Sequence, residues 1–399
     1  EIMPSLVGSE MCIRDRVIAA IFIVIFFIPY TASGFAACGK LFSSLFGVKY
    51  LTAMIISAIV IVAYTTLGGF LAASTTDFIQ SIIMSVALIV VLIFGVETAG
   101  GIGAVIHNAS ELPGYLSMTL SYDVNTGKAA PYSALTIVST AAWGLGYFGM
   151  PHILLRFMAI EDEKKLKLSR RVATIWVVIS LFVAVFIGVI GYTMSKVGAL
   201  EMLTGSNSET IIVKISALLS QHGVIFALLA GVILAGILAS TMSTSDSQLL
   251  AASSAVSSDI LGAFRKDSSN KNGSMAAARI TLLVISVVAA FIARNPDSSV
   301  FAIVSFAWAG FGAAFGPVVL FSLFWKRTSK WGALAGMVCG GSMVFIWKYL
   351  IRPLGGIWNI YELLPAFLIA CAAIVIVSLL TPKPSKEIEE EFDRVAQMK

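Results

Sequence analysis

Long runs of apolar residues, separated by short polar segments, fill most of the chain between Val17 and Thr381. Ten of these runs are long enough to cross about 30 Å of hydrocarbon, which a helix spans with about 20 residues. None shows the polar–apolar alternation of a membrane-spanning strand, so we expect helices and no strands. The predicted spans cover residues 17–45, 50–71, 77–98, 133–158, 172–195, 223–247, 278–293, 299–325, 332–351 and 361–381.

Composition sets the class of protein. The 399 residues are 58% hydrophobic and only 12% charged, whereas about 25% of the residues in a soluble domain are charged. The four cysteines and three histidines lie far apart along the chain, which argues against a disulfide framework, a metal site or a catalytic cluster. The pattern therefore predicts an all-α polytopic membrane protein.

Lysine and arginine residues are distributed unevenly between the two sets of loops. Of the 27 basic residues, seven lie in one set of loops and 18 lie in the other set, which consists of Arg14, Arg16, residues 161–171, 264–279 and 325–331, and the tail. The two sets alternate across all ten predicted spans, so the positive-inside rule places both chain ends in the cytoplasm. The net charge of +5 comes from this asymmetry and does not indicate a nucleic-acid partner.

The first residues differ in character from the rest. EIMPSLVGSEMCIRDR is polar and unpatterned, and SLVGSEMCIRDR resembles peptides translated from sequencing adapters. It is not a signal peptide, because the apolar run after RDR continues for a full span. We expect residues 1–16 to be non-native, residues 17–381 to form the membrane domain, and residues 382–399 to form a cytoplasmic tail. The native chain is then expected to extend further upstream.

A polar stretch, ASTMSTSDSQLL at residues 239–250, lies in the sixth predicted span. At 100° per residue, four hydroxyl side chains fall within about 100° of arc: Ser240, Ser243, Thr244 and Ser247. Oxygen ligands suit a hard cation such as sodium, and serine or threonine can also bond back to the carbonyl one turn earlier. The alternative is close helix packing, for which small polar residues are common in membranes.

Two carboxylates interrupt the apolar runs. Asp246 lies about 60° from Ser243 around the sixth span, and an ionisable group within a span costs about 2.5–3.5 kcal/mol and is functional by default. We expect a cation as its partner; the alternative is a position near the cytoplasmic end of the span, within reach of water. Asp77 opens the third predicted span, where the alternative is a helix N-cap.

The fourth predicted span contains a break. Residues 139–159 read STAAWGLGYFGMPHILLRFMA, with three glycines and Pro151 within eight positions. Backbone groups freed at membrane depth are tolerated only when they line a cavity, as at transporter substrate sites. Trp143 and Tyr147 are four residues apart and share one helix face; the alternative is an aromatic pair packed against neighbouring helices. Tyr30, in FFIPYTASG, offers a further hydroxyl, or is a kink residue facing a neighbour.

Four blocks of sequence carry a resemblance: YTTLGGFLAASTTDFIQ, WGLGYFGMPHILLRFMAI, SFAWAGFGAAFGPVVLFSLFW and WKRTSKWGALAGMVCGG. They closely resemble, in this order, segments of the sodium:solute symporter family, and the similarity runs from about Arg16 to the tail. The resemblance implies a five-plus-five inverted-repeat transporter fold of thirteen spans, of which this chain would hold ten. The broken first core helix, which supplies part of both sites in this fold, would lie upstream.

The resemblance also implies the site residues. Four positions match those that line a proline pocket in the family: Tyr30, Trp143, Tyr147 and Pro151. Two positions match the side-chain ligands of the principal sodium site, Ser243 and Thr244, and Ser240 matches a position whose backbone carbonyl completes that site. Three positions match those implicated in a second sodium site or its entry path: Asp77, Asp246 and Ser247.

The function implied by the resemblance is sodium-coupled uptake of L-proline by alternating access, across the cell inner (plasma) membrane. Such transport needs a lipid bilayer, sodium and the solute, but no protein partner and no covalent chemistry, so the chain is not expected to be an enzyme. Several alternatives stay open at this point. The solute could be another amino acid or a small carboxylate, the coupling ion could be a proton carried by Asp77 or Asp246, the fold could be the sensory part of a signalling protein, or the chain could be an inactive fragment.

Overall fold

The computed structural model describes residues 13–124, 126–264 and 271–397, so residues 1–12 of the segment predicted to be non-native lie outside it. The first part of the chain contains α1 (Ile13–Phe46), α2 (Tyr50–Thr98), α3 (Ile102–Ser110), α4 (Ala134–Ala141) and α5 (Pro151–Met158). The second part contains α6 (Leu166–Lys196), α7 (Ile211–Leu219), α8 (Val224–Ser254), α9 (Leu261–Phe264), α10 (Lys271–Ile292), α11 (Val300–Phe324), α12 (Lys330–Ile346), α13 (Leu363–Leu380) and α14 (Lys386–Gln397).

Nine segments among the described residues are helical, long enough and apolar enough to cross a membrane, and each corresponds to one of the predicted spans. The chain is therefore a multi-pass helical membrane protein. The fourth predicted span is not among the nine because it is interrupted, so the count of ten spans stays a prediction. Helix α11 lies deepest in the bundle, with every residue from Ala307 to Val319 buried.

The predicted break in the fourth span is confirmed. Helix α4 ends at Ala141, a 3-10 segment follows over Ala142–Gly149, and α5 begins at Pro151. Met150 between them is extended, with φ −81° and ψ 106°. Proline suits the first position of α5 because no intrahelical partner exists there for a backbone N–H. The break is packed tightly against α11, since a Cβ atom built on Gly149 would lie 2.2 Å from the carbonyl oxygen of Phe311.

Gly149→Ala should therefore destabilise the bundle. The added methyl group would meet backbone atoms rather than a flexible side chain, and overpacking of this kind costs about 1–3 kcal/mol. The matched control is Gly144→Ala in the same 3-10 segment, where a Cβ atom meets nothing within 4 Å. We expect the melting temperature in detergent to fall for Gly149→Ala only. Equal melting temperatures for the two variants would contradict this packing.

Spans two and three were predicted as separate helices, but the backbone is helical without interruption through α2. Tyr64 contacts Asp246 on α8, and Ala87 lies against Gly236 of the same helix. Tyr64 and Ala87 would be about 35 Å apart on a straight helix, whereas their contacts on α8 are about 15 Å apart. Helix α2 therefore bends around α8 instead of running straight.

The expectation that the chain forms no strands is wrong for one loop. Strands β1 (Leu120–Asp123) and β2 (Lys128–Pro131) pair antiparallel in the loop between spans three and four. Gly127, with φ +66°, lies in the turn between them. This segment lies outside the predicted spans, and a hairpin satisfies its backbone hydrogen bonds without a helix. Hydropathy of the spans carries no information about such a loop.

Candidate functional site

The hydroxyl groups of α8 gather around backbone carbonyls of the same helix. Ser243 Oγ and Thr244 Oγ1 each donate to the Ser240 carbonyl oxygen at 3.1 Å, and Ser247 Oγ donates to the Ser243 carbonyl at 3.0 Å. This is the predicted bonding back to the preceding turn. A hydroxyl oxygen that donates its proton keeps lone pairs for a further partner, so this turn concentrates oxygen ligands on one side of the helix.

Asp246 is fully buried, with 0% of its surface exposed. The alternative of a water-exposed position at the end of the span is therefore not realised. Its Oδ2 atom lies 2.8 Å from the Tyr64 hydroxyl, which also lies 3.1 Å from the Met242 carbonyl oxygen, and its Oδ1 atom lies 3.2 Å from Ser247 Oγ. Neutral hydroxyl groups thus surround the carboxylate, and among the described residues it forms no ion pair with a basic side chain.

Asp77 lies within α2 rather than at a helix start, so the N-cap alternative is not realised either. Arg156, near the end of α5, forms an ion pair with Asp77 Oδ2 and donates to Ser247 Oγ at 2.7 Å. The other oxygen of Asp77, Oδ1, is buried without a hydrogen-bond partner. Asp77, Asp246 and Ser247, which were predicted as one group, therefore lie together in a network with Tyr64 and Arg156.

The aromatic residues of the break meet on Trp308 of α11. Trp143 stacks on Trp308 with 5.4 Å between ring centroids, and Tyr147 meets the same indole edge-on at 4.8 Å. The prediction that both share one α-helical face is wrong in geometry, because residues four apart in a 3-10 segment differ by about 120°. Trp308 Nε1 donates to the freed Trp143 carbonyl at 2.9 Å, so a side chain satisfies one backbone group of the break.

Trp143 is also stacked by Phe301 and Tyr361, at 5.4 and 6.0 Å between centroids. The alternative reading of Trp143 as a residue packed against neighbouring helices therefore describes its contacts correctly. Tyr147 differs, because 46% of its surface is exposed.

The remaining two predicted substrate residues are Tyr30 of α1 and Pro151 at the start of α5. Tyr30 is nearly buried on α1 and its ring lies 6.1 Å from that of His152, which follows Pro151. The side chains of Tyr30 and Tyr147 are also close enough to interact electrostatically. Tyr30 of α1 therefore lies against the broken span, which contains the other three predicted substrate residues.

A cavity of about 430 Å³ reaches one residue of each predicted group. Tyr147 of the break and Ser240 and Thr241 of α8 line it, together with apolar side chains of α2 and α6. A largely apolar cavity with a few polar groups is the usual form of a small-molecule site. In the described part of the chain, no three His, Cys, Asp or Glu side chains are grouped so as to hold a metal ion.

A second ionic cluster includes Lys40, near the C-terminal end of α1. Glu209, in the 3-10 segment Gly205–Thr210, pairs with Lys40 at 2.7 Å and accepts from Ser299 Oγ at 2.9 Å, at the start of α11. Burial alone would raise the pKa of Glu209, but the hydrogen bonds from Lys40 and Ser299 outweigh it and hold that pKa below its usual range. This carboxylate therefore joins three elements while it is ionised. Nothing in the local sequence indicated the pairing.

Comparisons with known proteins find relatives over most of the chain. The family model described as the sodium:solute symporter family matches residues 10–340. The chain is 38% identical to the osmoregulated proline transporter OpuE of Bacillus subtilis, over 93% of this chain and 72% of that protein. It is 39% identical to the sodium/proline symporter of Salmonella typhimurium, over 94% of this chain and 72% of that protein.

The fold itself is similar to that of a solved protein. The structure of a sodium-coupled sialic acid symporter in a substrate-bound, outward-open state superposes with a TM-score of 0.73. The match covers 94% of this chain and 76% of that chain, at 17% sequence identity. At this identity the likeness concerns the arrangement of the helices.

Proposed function

Because the chain belongs to the sodium:solute symporter family, we propose that it takes part in sodium-coupled uptake of L-proline by alternating access. The names of its relatives support this solute and this ion. The observation that carries the proposal is that Tyr147 of the broken span and Ser240 of the hydroxyl-lined helix line the same cavity. A solute and a cation bound there would lie within reach of each other.

The cation site that we propose centres on the turn of α8 from Ser240 to Thr244. The hydroxyl oxygens of Ser243 and Thr244 each lie 3.1 Å from the Ser240 carbonyl oxygen. Rotation of either hydroxyl would direct its lone pairs outward. Oxygen ligands replace the hydration shell of a hard cation. The network of Asp77, Asp246 and Ser247 is the proposed second sodium site or its entry path.

The solute site that we propose lies at the break. Freed backbone groups and helix ends at such a break bind the charged groups of an amino acid, and the pyrrolidine ring would pack against the aromatic surface of Trp143 and Tyr147. Tyr30 and Pro151 would close the same pocket from the side of α1 and α5. Contact between the ring of the solute and these aromatic side chains would then favour proline over amino acids without a ring.

Coupling follows if sodium and proline stabilise the same arrangement of the helices. Each ligand then raises the affinity of the other by the same factor. The membrane potential contributes about 2.3 kcal/mol for each unit charge that crosses 100 mV, which drives net uptake. The proposal places the protein in the plasma membrane, with both chain ends in the cytoplasm, in accord with the distribution of basic residues.

The direct test is uptake of radiolabelled proline by the whole transporter in proteoliposomes under an inward sodium gradient. We expect accumulation that collapses when sodium is replaced by potassium. Competition by unlabelled amino acids and small carboxylates identifies the solute, with proline the strongest competitor. Accumulation that follows a proton gradient and ignores sodium would reject the ion assignment. Stronger competition by an unrelated solute would reject the choice of proline.

Trp143→Leu should change the choice of solute. The variant removes the aromatic surface that we assign to the pyrrolidine ring, and an aromatic contact contributes about 0.5–1.5 kcal/mol beyond the area it buries. We expect competition by proline to weaken about 10-fold relative to competition by open-chain amino acids. Trp331→Leu is the control, because Trp331 lies at the start of α12 and is 55% exposed. Unchanged discrimination in Trp143→Leu would remove this residue from the pocket.

A further inference from the structure

A polar seam joins α1 to α8, and none of its members belongs to the predicted sites. Thr31 Oγ1 lies 3.4 Å from Gln248 Oε1. A Cβ atom built on Gly34 would lie 2.2 Å from Ser245 Oγ. The Cys38 side chain lies beside Thr241. Thr31, Gly34 and Cys38 thus follow one another along α1, while their partners on α8 occur in the reverse chain order. The two helices therefore pack antiparallel along this line.

The side chains of the seam are almost fully buried. Thr31 and Cys38 are 0% exposed, and Ser245 and Gln248 are each 1% exposed. Spacings of three and four residues on both helices place these side chains along one line of contact. Gly34 allows the two backbones to approach, as small residues do between membrane helices. The seam therefore fixes the rotation of α8 about its own axis and its register along α1.

The residues of the seam are immediate neighbours of both proposed sites. On α8, Gln248 follows Ser247 and Ser245 follows Thr244, so the ion-binding and seam positions alternate on one helix. On α1, Thr31 follows Tyr30 of the solute pocket. A change in the turn around Thr244 would therefore reach α1 through residues that are its direct neighbours in the chain.

Two polar atoms of the seam have no partner: Ser245 Oγ and Gln248 Nε2 are buried and make no hydrogen bond. A buried donor without an acceptor is unfavourable. A small rotation or shift of α8 that supplied acceptors would relieve this cost. A second arrangement that supplied these acceptors would give the two-state element that energetic coupling between sites requires.

We propose that Thr31 and Gln248 are positioning residues that transmit occupancy of the ion site on α8 to Tyr30 in the solute pocket. This inference rests on the proposed function, because it concerns the coupling between the two ligands. It assigns neither residue to direct contact with sodium or proline. The quantity that these residues are expected to control is the factor by which saturating sodium raises the affinity for proline.

The test is proline binding to the whole transporter in nanodiscs, measured at trace and at saturating sodium. Thr31→Val keeps the shape of the side chain and removes the hydroxyl, and we expect the sodium-induced gain in proline affinity to fall at least 5-fold. Thr31→Ser, which retains the hydroxyl, should keep the gain. Ser253→Ala is the control on α8, because Ser253 is buried but bonds only to the Leu250 carbonyl of its own helix.

A second pair of variants tests the packing of the seam. Gly34→Ala should reduce the sodium-induced gain at least 5-fold, because the new methyl group meets Ser245 Oγ. Gly34→Ala combined with Ser245→Ala removes that oxygen and should restore the gain. If the unaltered protein shows the gain and Thr31→Val and Gly34→Ala retain it, the inference is wrong and the proposed function stands. If the unaltered protein shows no gain, the coupling and the proposed function both fail.

Discussion

Replacing Ser243 or Thr244 by alanine is expected to raise the sodium concentration for half-maximal proline uptake by about 100-fold. Each variant removes one of the oxygens assembled around the Ser240 carbonyl. A hydrogen bond or similar contact to a charged group contributes about 1.5–3 kcal/mol, and tenfold in affinity corresponds to about 1.4 kcal/mol. The loss of one oxygen ligand from a dehydrated cation therefore accounts for a change of this size.

The measurement is the sodium dependence of the initial rate of uptake, at fixed membrane potential. The maximal rate at very high sodium should change much less than the half-saturating concentration, because the remaining ligands still form the site. Ser286→Ala is the control: Ser286 is a buried serine of α10 that donates only to the Leu282 carbonyl of its own helix. Wild-type sodium dependence in both α8 variants would show that the ion binds elsewhere.

Asp77→Asn is expected to reduce uptake about 100-fold at ordinary sodium concentrations. The side chain of Asp77 is only 9% exposed, and the substitution removes the charge that balances Arg156. Breaking a buried ion pair by removing one partner costs about 3–5 kcal/mol, and the partial exposure of Arg156, at 45%, reduces that figure. The carboxylate with its unpartnered Oδ1 atom is also replaced by a neutral amide, which binds a cation less strongly.

The double variant separates the two roles of Asp77. Adding Arg156→Gln to Asp77→Asn removes the unpaired charge, so the melting temperature should recover. Sodium-driven uptake should stay low if the carboxylate takes part in sodium movement. Glu111→Gln is the control, because Glu111 forms an exposed ion pair with Lys196 and such pairs contribute about 0–1 kcal/mol. Recovery of uptake in the double variant would reduce Asp77 to a structural partner of Arg156.

The local features of the site could be predicted from the sequence. The hydroxyls of α8 are spaced so that they fall on one face and bond back to the preceding turn, and both depend only on helix geometry. The glycines and the proline of the fourth span likewise specify a break within a few residues. Such features are set by neighbours in the chain, whose effect on the backbone is known.

The partners of those residues could not be predicted in the same way. Trp308 meets Trp143 across 165 residues of sequence, Tyr64 meets Asp246 across 182, and Arg156 meets Asp77 across 79. Each pairing depends on how helices pack, and hydropathy does not encode the angle or register of that packing. Arg156 gave one weak signal, as a basic residue in an apolar run close to the end of a span.

Two departures from the sequence-based expectations have the same origin. The second and third predicted spans are both present, but the segment between them, which contains Ser74, Thr75 and Thr76, is helical, and α2 contacts α8 on both sides of it. Trp143 and Tyr147 are spaced for an α-helix but lie in a 3-10 segment held against α11. In both cases tertiary packing overrides the local preference.

Proline-stimulated entry of radioactive sodium into proteoliposomes tests the central claim most directly. External proline should accelerate sodium entry in the unaltered transporter, and the acceleration should disappear when Ser243 and Thr244 are both alanine while proline still binds weakly. Proline entry that brings in no sodium, or undiminished sodium entry in the double variant, would contradict the assignment of these α8 oxygens to the coupling ion.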